Sequence, residues 1–250
     1  MKNLNGKVSV IIPVYNGAEF IESTISETIR TLEEFSCEYE IIIIDDGSQD
    51  DTYSKLKKLS YNNHKIIPVR NKKNFGKGRA LKKGFRFCKG NWVVFMDADL
   101  SLHPRQISTF FDIMQLDDAD VVIGSKLHPN SCLDYPLLRR ILSLGYYYFI
   151  KVLFGLPVRD TQTGLKLFKY EVLKKVIPRI LVKRFAFDLE ILVNAHHLGY
   201  RIVEAPVRLK QHWQSSVGLS SVFNIFIDTL AIFYRLYILR YYDRVYNFRT

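Results

Sequence analysis

Short runs of apolar and β-branched residues recur through the first half of the chain, separated by segments whose apolar positions repeat at helical spacing. Residues 8–13, 40–45, 65–69, 92–97 and 120–124 read as buried strands. In the first intervening segment Ile21, Ile25, Ile29 and Leu32 share one helical face. Further helices are expected over 51–59, 78–88 and 104–114, with Pro104 in a first turn, where its missing N–H costs no hydrogen bond. Strand–helix–strand alternation with short links predicts an α/β fold whose mainly parallel sheet is covered by helices on both faces. Ligands of such sheets sit at the carboxyl ends of the strands, so polar motifs there are the candidates for chemistry.

After residue 124 the pattern changes. Residues 137–157 are apolar with cations at Arg139, Arg140 and Lys151, and the polar run RDTQTG (159–164) follows. A short strand (LKLF), helices over 170–176 and 187–198, a cap at Gly199 and a returning strand over 201–209 complete this part. Residues 219–239 are strongly apolar, with Ser221, Asn224, Asp228 and Arg235 near one stripe. As a helix rising ~1.5 Å per residue, this stretch nominally reaches across a bilayer core of about 30 Å. Asp228 near its middle would cost roughly 2.5–3.5 kcal/mol there, so the expectation is a helix lying in the membrane interface or packed on a partner helix. The organisation read from the chain is one domain over 1–218, in halves 1–125 and 126–218, followed by an apolar helical extension over 219–250.

A length of 250 residues suits one such domain, and 48% hydrophobic with 24% charged residues places the chain among globular rather than disordered sequences. Cys37, Cys88 and Cys132 are scattered, which argues against a disulfide framework or a zinc knuckle and for a reducing compartment; all three read as small buried apolar residues. The polar stretch 1–7 runs straight into a strand, with no secretory signal. The net charge of +11 is uneven: residues 1–125 hold 17 basic and 17 acidic residues, 126–184 hold 12 and 3, and 185–250 hold 7 and 5. A block of +9 interleaved with Tyr, Phe and Leu calls for an anionic partner, whether phosphate, nucleic acid or an acidic membrane. No nucleic-acid recognition motif accompanies it, so nucleic acid is not an expected partner.

Four motifs fall at expected strand ends. Asp97-Ala98-Asp99 follows the apolar run WVVFM. Carboxylates at i and i+2 where pleating stops can converge on one hard cation, Mg²⁺ or Mn²⁺, shared with a diphosphate. Asp45-Asp46-Gly47-Ser48 ends the second strand; a carboxylate there can accept from the edge of a nucleobase, or Asp46 or Ser48 can cap the next helix. Pro13-Val14-Tyr15-Asn16 ends the first strand and can wall a base pocket, with Asn16 a simple cap in the alternative reading. Asn74-Phe75-Gly76-Lys77-Gly78 opens the third helix, its glycines allowing close backbone approach and Lys77 suiting an anion. It is neither a Walker A loop nor a dinucleotide fingerprint.

Taken together and in order, VSVIIPVYNGAEFI, EIIIIDDGSQDDT, NFGKGRALKKG, VVFMDADLSLHP and VVIGSK closely resemble family 2 glycosyltransferases. RDTQTGLKLFK, FAFDLEIL, HHLGYRIVEAPV and the distal SSVG resemble the dolichyl-phosphate mannose and glucose synthase branch. The resemblance implies a GT-A fold, a Rossmann-like and mainly parallel sheet flanked by helices, carrying an inverting transfer of a hexose from a UDP- or GDP-linked sugar. It implies that Pro13, Tyr15 and Asp46 line the nucleobase pocket with Asp45 beside them, that Lys77 lies near base and diphosphate, and that Asp97 and Asp99 hold the metal. The chain departs from the family where Ser101 replaces a common Gln, Lys126 replaces the arginine of G-S-R, and Ser216-Val217-Gly218 lacks the usual lysine. Arg208, Lys210 or His212 is a substitute for that last contact.

The resemblance leaves the acceptor open. A polyprenyl phosphate, with a second pKa of about 6, is largely ionised and needs cations rather than a base; Lys126, Arg139 and Arg140 are the candidates. A sugar hydroxyl needs a general base, for which Asp188 comes first and Asp160 second. Each has a structural alternative, Asp188 at a helix N-terminus and Asp160 in an Asx turn. His196 and His197 read as plain structure. A membrane surface, a small membrane subunit and a second copy of the chain are the expected macromolecular partners, and the cytoplasmic membrane face is the expected location. A non-catalytic nucleotide-sugar-binding subunit is the reading from another class, and the carboxylate pair argues against it.

Overall fold

Period-two alternation sorts the apolar runs onto two faces of one sheet, and each face has its own core. In β2 (Glu38–Asp45), Ile41 and Ile43 join one cluster while Ile42 and Ile44 join the other; all four are fully buried. Such continuous burial is what a parallel strand covered on both faces requires. The structure is a computed structural model describing residues 6–35, 37–132, 137–182, 186–209 and 219–247, and within these the side chains of 137–142, 219–223 and 245–247 are not described.

The other strands are β1 (Lys7–Val14), β3 (Ile66–Arg70), β4 (Trp92–Phe95), β5 (Val121–Ser125), β6 (Lys166–Lys169) and β7 (Ile202–Pro206). They form one sheet in the order β3-β2-β1-β4-β6-β5-β7. Pairing is parallel except at β6, which runs antiparallel to β4 and β5. Helices α1 (Ile21–Glu34) and α4 (Ile107–Leu116) pack on one face, with α2 (Thr52–Asn62) contributing Leu56. The other face carries α3 (Lys77–Phe85), α5 (Leu137–Phe154), α6 (Tyr170–Val176) and α7 (Phe187–His197). Strand order reverses beside β1, so the chain leaves β1 toward β2 on one side while β4 continues the sheet on the other. The carboxyl ends of β1 and β4 therefore border a crevice.

The C-terminal segment packs against this second core. It comprises α8 (Leu219–Phe233), a π-helical turn (Tyr234–Ile238) and α9 (Tyr241–Asn247). Ile232, Leu236 and Tyr242 are buried with the α5 and α7 side chains. Glu190 of α7, fully buried, accepts from Tyr242 Oη at 2.5 Å and from the backbone N–H groups of Leu181 and Val182 at 2.9 and 2.7 Å. Arg235 approaches the same carboxylate at 3.5 Å. Burial raises the Glu190 pKa, opposed by these donors. The helix read over 219–239 runs through α8 and the π-helical turn as far as Ile238, and among the described residues no helix is long and apolar enough to cross a membrane.

Three local readings are corrected. Asn16 does not cap α1. Its φ of 50° turns the chain back, its N–H donates to Ser48 Oγ and its Oδ1 accepts from Gln49 N–H, stitching the ends of β1 and β2 together. Neither Asp46 nor Ser48 caps α2, whose N-cap is Asp51. Of the cysteines only Cys88 is buried; Cys37 is half-buried and Cys132 exposed, and all three are free thiols.

Candidate active site

The ends of β1, β2 and β4 and the start of α3 enclose a cavity of about 360 Å³, lined by Pro13, Val14, Tyr15, Asp46, Asn74, Gly76, Lys77 and Asp97. Five residues expected from the sequence thus meet in one place, Pro13, Tyr15, Asp46, Lys77 and Asp97. Tyr15 stands 43% exposed at its wall, an open aromatic face on which a flat ligand can stack.

Asp46 holds the loop before α3. Its carboxylate accepts from Asn71 Nδ2 at 2.6 Å, Gly76 N–H at 2.7 Å and Phe75 N–H at 3.1 Å. Asp45, placed beside the pocket from the sequence, instead turns inward. It is fully buried, accepts from Ser48 N–H at 2.9 Å and meets Arg70 Nε at 3.0 Å. Gly78, read as giving a ligand room, faces Phe187 of α7, whose Cβ lies 2.5 Å from the position a Gly78 Cβ would take. It lets α3 and α7 approach closely.

Past the end of β4, Ala98 between Asp97 and Asp99 lies in the core, and its carbonyl accepts from Thr24 Oγ1. Asp97 Oδ1 lies 2.5 Å from Lys77 Nζ. Asp99 sits exposed at the rim, where its carboxylate accepts from Ser101 N–H at 3.0 Å. Leu100 between them has φ 55°, a conformation a branched side chain adopts only under constraint. Burial pushes the Asp97 carboxyl up, but Lys77, Lys166 and Lys126 outweigh it and hold the group below the usual carboxylate range. Burial conversely disfavours the Lys77 ammonium, yet Asp97, Asp188 and Asp99 raise its pKa above the ordinary lysine value.

The carboxylate pair fits a hard divalent cation. Gly164 supplies the observation: an ideal Cβ there would lie 1.8 Å from Asp97 Oδ2, so the backbone forms a cradle that only glycine leaves open for the carboxylate. Among the described residues no group of three or more His, Cys, Asp or Glu side chains comes together as a closed metal cage. An ion held by Asp97 and Asp99 would keep most of its coordination for ligand oxygens, as Mg²⁺ and Mn²⁺ do with substrate phosphates.

Behind Asp97 lies a layer that sequence reading assigned only in part. Lys166 of β6 is 1% exposed and donates to Asp188 Oδ1 at 2.7 Å and to the Thr163 carbonyl at 2.5 Å. Burial and the nearby Lys77 lower its pKa, against the pull of Asp188 and Asp97. Its signal in the sequence was a lysine inside an apolar strand, LKLF. Asp160 is the Asx-turn residue of RDTQTG, accepting from Gln162 N–H, from Thr163 Oγ1 and from Lys126 N–H, with Lys126 Nζ at 3.7 Å. Asp188 is therefore committed to Lys166 and Asp160 to its own loop. Arg208 lies at the end of β7, where its backbone exchanges two hydrogen bonds with the Gln106 side chain. The side chains of Arg139 and Arg140, and Lys210, His212 and residues 216–218, lie outside the described residues. His197 pairs with Asp243 at 2.7 Å, far along α7 from the cavity.

Comparison with known proteins gives the arrangement a family. The chain is 34% identical over 215 residues to a dolichyl-phosphate beta-glucosyltransferase of Dictyostelium discoideum, covering 80% of this chain and 65% of that protein, just under two thirds of its length. Among solved structures, glucosyl-3-phosphoglycerate synthase from Mycobacterium tuberculosis in complex with Mn²⁺, UDP and phosphoglyceric acid superposes with a TM-score of 0.68 at 18% identity, covering 92% of this chain and 78% of that one. A mannosyltransferase from Pyrobaculum calidifontis in complex with GDP-Man and Mn²⁺ gives a TM-score of 0.64 at 20% identity, covering 94% and 65%. At such identities the structural likeness establishes the fold, the GT-A arrangement of a mostly parallel sheet between helices. The glycosyl transferase family 2 profile matches residues 9–177, and the chain belongs to that family.

Proposed function

We propose that this chain is an inverting, divalent-metal-dependent glycosyltransferase that moves a hexose from a UDP- or GDP-linked donor to a polyprenyl phosphate, peripherally at the cytoplasmic face of a membrane. The observation that carries the choice of acceptor is the Lys166–Asp188 pair. Asp188 is the first candidate for a general base, and it is buried and engaged by an ammonium at 2.7 Å. A sugar hydroxyl needs such a base; an ionised phosphate does not. The name of the Dictyostelium relative supports the same acceptor class.

In this reading the base stacks by Tyr15 near Asp46, and the diphosphate lies toward Lys77. Asp97 and Asp99 would hold Mg²⁺ or Mn²⁺, which would supply positive charge against the departing diphosphate. An acceptor phosphate oxygen attacks the anomeric carbon from the face opposite the leaving oxygen; the new C–O bond forms as the bond to the nucleoside diphosphate breaks. Lys126, whose N–H and Nζ meet Asp160, is proposed to orient that phosphate, with Arg139 and Arg140 approaching from the start of α5. Exposed Tyr148 and Val152 of α5, with Ile227, Tyr234, Tyr237 and Ile238 of the C-terminal segment, supply an apolar and aromatic surface suited to the bilayer interface.

The test is a donor screen with UDP-glucose and GDP-mannose in the presence of a short-chain polyprenyl phosphate. Transfer is expected with one of these donors and is expected to vanish with excess chelator or in Asp97→Asn/Asp99→Asn. Full activity in chelator would overturn the metal reading, and transfer to sugar hydroxyls alone would overturn the acceptor. Asp188→Asn separates these again, because it should remove most hydroxyl transfer while phosphate transfer persists in a folded variant.

A further inference from the structure

Residues 70–89 contain nine Lys or Arg and no Asp or Glu, within a half of the chain that is neutral by count. Lys77 belongs to the site described above. Arg79, Lys82, Lys83 and Arg86 follow at i, i+3, i+4 and i+7, which places them on one stripe of α3 and its C-cap, away from the buried Gly78, Ala80, Leu81 and Gly84. With Asn71, Phe75 and residues 180–182 they line a groove of about 460 Å³ whose described lining includes no acidic side chain.

Lys83 and Arg79 have uncharged partners among the described residues. Lys83 Nζ donates to the Arg70 carbonyl and to Asn71 Oδ1, each at 2.8 Å. The Arg79 guanidinium lies 4.0 Å from the centre of the Phe75 ring. Carbonyls and ring faces fix a cation's position without cancelling its charge. Lys82 Nζ crosses the groove to the Ile180 carbonyl at 2.7 Å, setting its width. Leu181, 43% exposed, makes one wall apolar.

We propose that this groove is a second anion site, separate from the donor cavity, that takes a phosphate group borne by a lipid headgroup or free in solution. Concentrated positive charge beside an apolar wall raises the local concentration of anions, and the forked guanidinium donors of Arg79 and Arg86 match phosphate oxygens. The site stands independently of the identity of donor and acceptor.

Two binding arms test it on the full chain. One titrates inorganic phosphate; the other titrates phosphatidylcholine vesicles with and without phosphatidylglycerol. Arg79→Gln/Arg86→Gln is expected to weaken binding about thirty-fold, two cations at about 1 kcal/mol each with tenfold per 1.4 kcal/mol, at unchanged melting temperature. Loss in the phosphatidylglycerol arm alone identifies a headgroup, and loss in the phosphate arm identifies a site open to free phosphate. If neither probe binds, or the double variant binds like the parent, the proposal is overturned. Should the double variant melt early, the single change Arg86→Glu at the exposed C-cap gives the same readout: binding unaffected by that reversal overturns the site.

Discussion

Replacing Gly164 by alanine puts a methyl group where the Asp97 carboxylate now lies. The added Cβ would fall 1.8 Å from Oδ2 and 2.4 Å from Cγ, whereas ordinary contact begins at 3.4 Å, so the carboxylate must retreat by about 1.6 Å. Gly164 does not occupy the left-handed region, so alanine adds no backbone strain there, and the obstructing atoms belong to a side chain that can turn. The variant should therefore fold. Metal–oxygen distances tolerate only about 0.2 Å, and disturbing the support of a ligand typically lowers metal affinity ten- to a hundred-fold, or roughly 1.4–2.8 kcal/mol. The same swing takes Asp97 away from Lys77. Manganese titration followed by electron paramagnetic resonance, paired with melting in metal-free buffer, reads both effects. Gly164→Ala should match Asp97→Asn in Mn²⁺ affinity while melting near the parent. Parent-like Mn²⁺ affinity in Gly164→Ala would show that this carboxylate position is not where the cation is held.

Other expectations follow from the buried pairs. Lys166→Met strands the Asp188 carboxylate, since the two side chains are only 1% and 6% exposed. Denaturant unfolding should show a loss of about 3–5 kcal/mol, and Lys166→Met/Asp188→Leu should recover most of it; a single variant within 1 kcal/mol of the parent contradicts the pairing. Tyr242→Phe removes a hydrogen bond to the buried Glu190 carboxylate and should cost about 1.5–3 kcal/mol. Protease sensitivity in α9 should rise with it, and an unchanged cleavage pattern would mean that the C-terminal segment is held by apolar contacts alone.

Strand and helix types were legible because each is a local pattern. Alternating isoleucines in EIIIID, the helical spacing of Ile21, Ile25 and Leu32, and Pro104 at a helical start carry their conformations in neighbours a few residues away. The candidate site was legible for a related reason. In a parallel sheet every strand ends on the same side, so motifs that end strands converge whatever their separation along the chain. That rule brought Pro13, Tyr15, Asp46, Lys77 and Asp97 into one cavity without any knowledge of packing.

Direction within each motif was beyond such reasoning. Where a strand gives way to a loop, the loop's path and the sheet's surroundings decide which side chain is covered; hence Asp45 and Ala98 turn inward while Asp46 and Asp97 face the cavity. Likewise the antiparallel return of β6 could not be read from LKLF, and with it came the buried Lys166 that claims Asp188. Gly78 and Gly164 show the same limit, one making room for a helix and the other for a carboxylate. The chain's local chemistry thus determined which elements form and which strand ends border the candidate site. Tertiary packing alone decided the partners of each charge, because a buried carboxylate takes its role from the cation or N–H that folding brings to it across tens of residues.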